Sequence, residues 1–271
     1  MVKYTVYCIL ARMQMKEIRH SYDETKKQSE KFDFWLYHVG RRFSWPVAWA
    51  AIKLGISPIA VTLVSIFFVW TGALLIAIAD PLGQLIGALF FQLWLILDCA
   101  DGTVARATNT GSLRGEYADA LGAYSVSMSL YAAMGIAAAR HALSVGAPPF
   151  PAATVQTAGL YVILGFGSSL MSLFARLIYQ KHLVLHFRAE SAHTTVKPRD
   201  ERQNPVMVLA QNIAANSGFA LPLSFVALAT GRADWFVLLY AAVNGAMLAL
   251  TLRRTFGRAT PQLPPGGSKN Q

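Results

Sequence analysis

The chain has 271 residues, of which 54% are hydrophobic and 14% charged, and its mean hydropathy is +0.39. Soluble domains carry roughly 25% charged residues, so this chain lacks the polar surface to cover itself in water, and lipid is its expected solvent. Its net charge of +10 stands beside no nucleic-acid-binding motif. The basic balance therefore points to membrane lipids with anionic headgroups, or to anionic substrates at a cytoplasmic face, and no nucleic acid is expected as a partner.

In chain order, the apolar run from Tyr4 to Leu10 is too short for a signal peptide and no small-residue cleavage site follows it. Insertion by the chain's own membrane helices is expected. Cys8 and Cys99 lie far apart and form neither a metal-ligand pattern nor a disulfide framework, so both read as reduced thiols that pack as small residues. Residues 1–57 form a cytoplasmic arm. Within it, residues 32–54 mix Phe32, Phe34, Trp35, Tyr37, Phe43, Trp45 and Trp49 with Arg41, Arg42 and Lys53. That mixture predicts an amphipathic helix lying in the membrane interface, the alternative being a soluble arm packed on the protein.

A membrane-spanning helix needs about 20 mostly apolar residues. Six such spans are predicted, over residues 58–79, 83–108, 113–140, 155–180, 207–231 and 235–256. Pro148, Pro149 and Pro151 separate the third from the fourth, and Pro205 opens the fifth. The fold class is thus all-α: a polytopic bundle of six transmembrane helices over residues 58–256, preceded by the interfacial helix. Residues 257–271 read as a disordered cytoplasmic tail. With six spans, 22 of the 24 Lys and Arg residues fall on the side of the termini, and only Arg140 and Arg232 fall opposite. The positive-inside bias therefore puts both termini in the cytoplasm of a cell-membrane protein.

The chemistry concentrates in residues 98–119. Asp98, Asp101 or Gly102, and Ala105 recur at three- and four-residue steps and share one helix face. Asp119 lies on the next helix after a short turn, so antiparallel packing brings it toward the first pair. Carboxylates on membrane helices are expensive to bury, and three that converge need a compensating cation. Hard oxygen ligands suit Mg²⁺, Mn²⁺ or Ca²⁺ rather than zinc. Gly102, Ala105 and Gly115 leave backbone bare for a bulky ligand, and the Arg106 fork suits phosphate oxygens. Together these features suggest a pyrophosphate substrate. Without convergence, the same residues are only solvated charges at a helix end.

The pattern Asp98-x2-Asp101-Gly102-x2-Ala105-Arg106-x8-Gly115-x3-Asp119 resembles the signature of the CDP-alcohol phosphotransferase family, with correct spacing at every step. The six spans, the preceding interfacial helix and the cytoplasmic placement of the motif fit that family's fold. The resemblance implies transfer of a substituted phosphate, here phosphatidyl, from a CDP-linked lipid donor to an alcohol or phosphorylated polyol, with release of CMP in phospholipid biosynthesis. It implies Asp98, Asp101 and Asp119 as ligands of Mg²⁺ or Mn²⁺. It implies Gly102, Arg106, Ser112 and Gly115 as donor contacts. The segment from Ser57 to Thr62 resembles the element that meets the cytidine end, with Ile59 where Asn is common, and Thr62 is taken from it as a donor contact. A homodimer is expected from the resemblance alone.

One position departs from the signature. The fourth aspartate falls at residue 123, and this chain has Ala123. In the family that carboxylate completes a second metal site and acts as general base on the acceptor hydroxyl, and alanine does neither. Three readings stay open. The alanine is an engineered change that stalls turnover; or the chain is a pseudoenzyme that binds nucleotide or lipid; or another base substitutes, with Glu116 nearest in sequence but directed toward the Gly115 side. A small transporter is a further alternative, although transporters favour polar or broken helices at mid-membrane and these charges cluster at one end.

The acceptor pocket is less defined. Arg176 near the cytoplasmic end of the fourth span faces a phosphate-bearing alcohol in one reading and is positive-inside decoration in the other. The basic stretch from His193 to Arg202 divides in the same way. Asn212 and Asn216, one turn apart in the fifth span, either line the cavity or join helices by hydrogen bonds.

Overall fold

The computed structural model describes residues 14–22, 24, 27, 30–145, 155–190 and 204–257. The stretch from His193 to Arg202, Cys8 and the tail beyond Gly257 lie outside the described residues. Helix α1 spans Met15–His20. A π-turn over Leu36–Gly40 runs straight into α2, Arg41–Lys53. The long helices follow: α3 Pro58–Ile78, α4 Pro81–Thr108, α5 Leu113–Val145 and α6 Val155–Glu190. Next come α7 Pro205–Ala214, a second π-turn Asn216–Ala220, α8 Leu221–Ala229 and α9 Ala233–Phe256.

Local sequence explains the breaks. Ser57 and Asp80 cap α3 and α4, accepting from the amides of Ala60 (3.3 Å) and Gly83 (3.1 Å), and a proline follows each cap at the first helical position. Helix α4 stops at Asn109, whose φ of 53° is left-handed. Asparagine tolerates that conformation better than most residues because its short side chain hydrogen-bonds locally.

Five helices are long and apolar enough to cross a membrane, and α7 with α8 makes a sixth as one span bent by 67°. The all-helical, multi-pass prediction therefore holds. The fifth span, expected over residues 207–231, is broken rather than one continuous helix. Gly218 takes non-helical angles (φ −86°, ψ −121°), and a Cβ there would lie 2.1 Å from the Asn212 carbonyl oxygen. Pro222 follows at the start of α8 and has no amide hydrogen to extend the helix backward. Both asparagines serve as joints rather than as cavity lining. Asn212 Oδ1 accepts from the Phe34 amide (2.7 Å), and its Nδ2 donates to the Phe32 carbonyl. Asn216 Oδ1 accepts from the Tyr131 hydroxyl (2.6 Å), and its Nδ2 donates to Ser127 Oγ (2.7 Å). The N-terminal arm is thus tied to one side of the break and α5 to the other.

Helix α2 has the amphipathic character expected of it: Phe43 and Trp49 are exposed while Ala48, Ala51 and Ile52 are buried. Arg41 departs from the expected polar face and is buried at 5% exposure.

Two glycine pairs bring helices into backbone contact. A Cβ on Gly72 of α3 would sit 2.7 Å from the Gly87 carbonyl oxygen of α4. A Cβ on Gly165 of α6 would sit 2.7 Å from Gly135 Cα of α5. Small residues at such crossings allow the close packing that drives helix association in lipid. Gly167, two residues from Gly165, has open space where a Cβ would go. Accordingly, Gly165→Val is expected to destabilise the bundle by about 1–3 kcal/mol or more through overpacking, whereas Gly167→Ala should leave stability unchanged or raise it by roughly 0.5–1 kcal/mol. Thermal unfolding of the two variants in detergent checks the contrast.

Candidate functional site

The polar end of α4 does not stop at a blunt helix terminus. The Thr110 amide donates back to the Ala105 carbonyl (2.9 Å) and the Asn109 amide to that of Arg106 (3.3 Å), so residues 109–112 reverse the chain in four residues. Ser112 Oγ then accepts from the Gly115 amide (3.2 Å), starting α5. This hairpin sets the start of α5 beside the end of α4, and the start of α3 packs alongside.

Between them lies a cavity of about 1050 Å³. Its polar wall holds Thr62, Asp101, Gly102, Arg106, Ser112, Gly115, Glu116 and Asp119, and its apolar wall includes Ile52 from α2, Ile56, Ile59 and Leu113. Seven of the ten residues singled out from sequence thus share one cavity. Asp98, Ala123 and Arg176 do not line it.

Asp101 is 5% exposed, and its Oδ2 accepts from the Thr62 hydroxyl at 2.5 Å. Thr62 is itself buried, and its hydroxyl also lies 3.1 Å from the Pro58 carbonyl, so this side chain braces the carboxylate against α3. Asp119 and Glu116 stand exposed on the facing wall. Gly102 makes room for the arginine one turn later: a Cβ at 102 would lie 3.2 Å from Arg106 Nη1. Arg106 Nε is buried with no hydrogen-bond partner, and Nη2 donates to Thr103 Oγ1 at 3.4 Å.

Asp98 lies one turn deeper on α4 and is half-buried. A Cβ on Gly122 of α5 would sit 4.0 Å from its Oδ1 and 3.5 Å from Trp94 Nε1. Asp98 therefore faces the α5 backbone just before Ala123, which is buried at 8% exposure. Arg176 faces the same stretch from α6, its guanidinium 5.9 Å from the Tyr124 ring, while the Tyr124 hydroxyl donates to Gln180 Oε1. Arg176 Nε, like Arg106 Nε, is buried without a hydrogen-bond partner.

The donor chemistry of the wall suits a hard divalent cation, since it is built of carboxylate and hydroxyl oxygens. Among the described residues, no three His, Cys, Asp or Glu side chains stand together as a ready metal-binding group. Asp101 and Asp119 share the cavity, and Asp98 stands behind it. Sequence reading overlooked Glu30 and Thr103, and it did not foresee that Arg41 is buried against the protein. These three join the N-terminal arm to the back of α4, and their link is carried by long-range contacts that no local spacing encodes.

No curated protein sequence matches the chain. The profile of the CDP-alcohol phosphatidyltransferase family matches residues 56–197, a stretch that begins just before α3 and takes in the whole cavity-forming hairpin. The chain therefore belongs to the CDP-alcohol phosphatidyltransferase family, multi-pass membrane transferases of phospholipid biosynthesis.

Proposed function

We propose that the cavity binds a CDP-linked lipid and that the protein's chemistry is transfer of the phosphatidyl group to an alcohol with release of CMP. The observation that carries this reading is the convergence of Asp101, Gly102, Arg106, Gly115 and Asp119 on one cavity with an apolar wall. The polar wall suits a pyrophosphate, and the isoleucines beside it suit a donor whose acyl chains stay in lipid. Gly102 and Gly115 keep the backbone clear for the phosphates. Arg106 presents planar donors to phosphate oxygens, and Ser112 and Thr62 add hydroxyls. The wall bearing Ile59 and Thr62 is the side for the cytidine end.

Asp101 and Asp119, with Asp98 behind them, are the residues that would hold the divalent metal typical of the family, Mg²⁺ or Mn²⁺. Such an ion neutralises pyrophosphate charge and polarises the phosphorus under attack. In the transfer, the acceptor oxygen forms a bond to the β-phosphorus, the bond from that phosphorus to the CMP oxygen breaks, and the hydroxyl proton must pass to a base. Ala123 offers none. General-base assistance is worth roughly 10²–10⁴-fold in rate, so turnover in this chain is slow while donor binding is retained. Arg176, beside Tyr124, is assigned to a phosphorylated acceptor. The lysine and arginine bias sets both termini and the cavity mouth on the cytoplasmic side.

The decisive assay is Mg²⁺-dependent CMP release from CDP-diacylglycerol with a pool of alcohols and phosphorylated polyols. Ala123→Asp should raise the rate by about 10²-fold or more, and omission of acceptors one at a time then names the alcohol. Equal activity in both forms would mean that another base operates. Glu116 is the first to test by Glu116→Gln, since it lines the same cavity. If neither form releases CMP yet both bind CDP-diacylglycerol, the protein is a binder and the transfer reading fails.

Within the Ala123→Asp background, Asp101→Asn should abolish metal dependence together with activity. Chelation of divalent ions should reproduce that loss reversibly. A chelator-resistant rate would remove the metal from the scheme. Arg176→Ala should raise the KM for a phosphorylated acceptor by about 10-fold or more, the loss of one charge-assisted contact, and leave the KM for the donor unchanged. A change confined to the donor KM would reassign Arg176.

A further inference from the structure

The N-terminal arm sends one cation into the bundle behind the signature helix. Arg41 of α2 forms a two-pronged pair with Glu30: Nε donates to Oε2 (2.9 Å) and Nη2 to Oε1 (2.6 Å). The Tyr22 hydroxyl donates to the same Oε2 (2.5 Å), and the guanidinium lies 4.9 Å from the Tyr22 ring and 5.9 Å from that of Trp45. A planar fork held on two sides and flanked by rings has little freedom to rotate. Its remaining nitrogen, Nη1, points at α4, where it donates to the Cys99 carbonyl (2.9 Å) and to Thr103 Oγ1 (3.1 Å).

Thr103 is where this network meets the cavity. A hydroxyl has one hydrogen and two lone pairs. The hydrogen goes to the Cys99 carbonyl (2.8 Å), and the oxygen accepts from Arg41 Nη1 and from Arg106 Nη2. All three capacities are used, and Thr103 is 1% exposed. Arg106 is thereby tethered at one nitrogen from behind, folded over Gly102, and free to offer other nitrogens to the cavity that it lines. An untethered arginine at a helix end would sample many rotamers, and fixing it on ligand binding costs affinity.

We propose that Thr103, held by the Glu30–Arg41 pair, is a positioning residue that pre-orients Arg106 toward the phosphates of a cytidine diphosphate group. The proposal rests on the donor reading given above and extends it to the N-terminal arm. Ordering of that arm on the bundle and readiness of the phosphate site become one event. Arg41 and Thr103 touch no substrate in this scheme and act only through Arg106.

Removing Arg41 would break a buried ion pair, a change that is strongly destabilising, so the test falls on Thr103. Thr103→Val keeps the shape and deletes the hydroxyl, and Thr103→Ser keeps the hydroxyl. Calorimetric titration of CDP with Mg²⁺ into the purified full-length protein measures affinity, and thermal unfolding is followed in parallel. Thr103→Val should weaken CDP binding by about 3- to 10-fold, the worth of one such hydrogen bond, and Thr103→Ser should restore it to within about 2-fold. The unfolding temperature should fall by about 2–4 °C in Thr103→Val, the cost of the buried hydroxyl, and by less in Thr103→Ser. Equal affinity in the Val variant and the unaltered protein overturns the proposal while leaving the donor site intact. Weak binding in both variants, or a fall in unfolding temperature of Thr103→Val of about 8 °C or more, overturns it in favour of a packing role. Failure of the unaltered protein itself to bind CDP overturns the donor reading and this proposal with it.

Discussion

A carboxylate on a membrane helix must find water, a cation or hydrogen-bond donors, because hydrocarbon solvates none of its charge. Asp101 is the residue on which that constraint falls hardest here. It is almost fully buried, and the Thr62 hydroxyl from a neighbouring helix meets it. Much of the local architecture follows. Helix α3 must begin beside the end of α4, and α4 must stop within two turns of Asp101. The chain must then reverse at once, so that the carboxylate side of the hairpin opens to a polar cavity rather than to lipid. The left-handed Asn109 and the four-residue turn satisfy the last two demands, and the Thr62–Asp101 hydrogen bond marks the first.

The opposite face of α4 answers the same constraint with charge. Arg41 and Glu30 neutralise each other in a site where either alone would be costly, and breaking a buried pair typically costs about 3–5 kcal/mol. Such pairs contribute little net stability compared with apolar packing, yet they define geometry sharply. Burial, aided by the hydrogen bond to Glu30, raises the Tyr22 hydroxyl above the ordinary tyrosine range, so that phenol remains a donor at any physiological pH. The arm is anchored a second time through Asn212, at the break of the fifth span. A segment that composition alone describes as interfacial is thereby packed against the back of α4.

Position 123 takes on a specific meaning in this frame. Ala123 lies beyond the cavity wall, next to the place where Asp98, Trp94 and Gly122 meet, and one residue before the tyrosine that faces Arg176. The signature residues therefore divide into two layers. Asp101, Asp119, Gly102, Gly115 and Arg106 open to the cavity, and Asp98 and position 123 stand one turn deeper. Under the proposed function, a small side chain at 123 would leave the deeper layer without a base while the cavity-facing layer stays intact.

What the sequence by itself determined was whatever depends on near neighbours. The start of the first span at Pro58, the membrane spans, and the face shared by Asp98 and Asp101 all follow from prolines, apolar runs and helical periodicity. So does the pairing of that face with Asp119, because only a short turn intervenes. The motif spacing was enough to identify the family. Tertiary structure alone decided what depends on distant partners. Arg41 reads as an interfacial cation until Glu30 and Thr103 surround it. The fifth span reads as one helix until Asn212 and Asn216 bond to the arm and to α5 on either side of Ala215, where α7 ends. Asp98 and Asp101 read as equivalent carboxylates until Thr62 and the α5 backbone set them at different depths. In each case the energy comes from a hydrogen bond or ion pair between residues remote in the chain, and such terms leave no periodic trace in a single sequence.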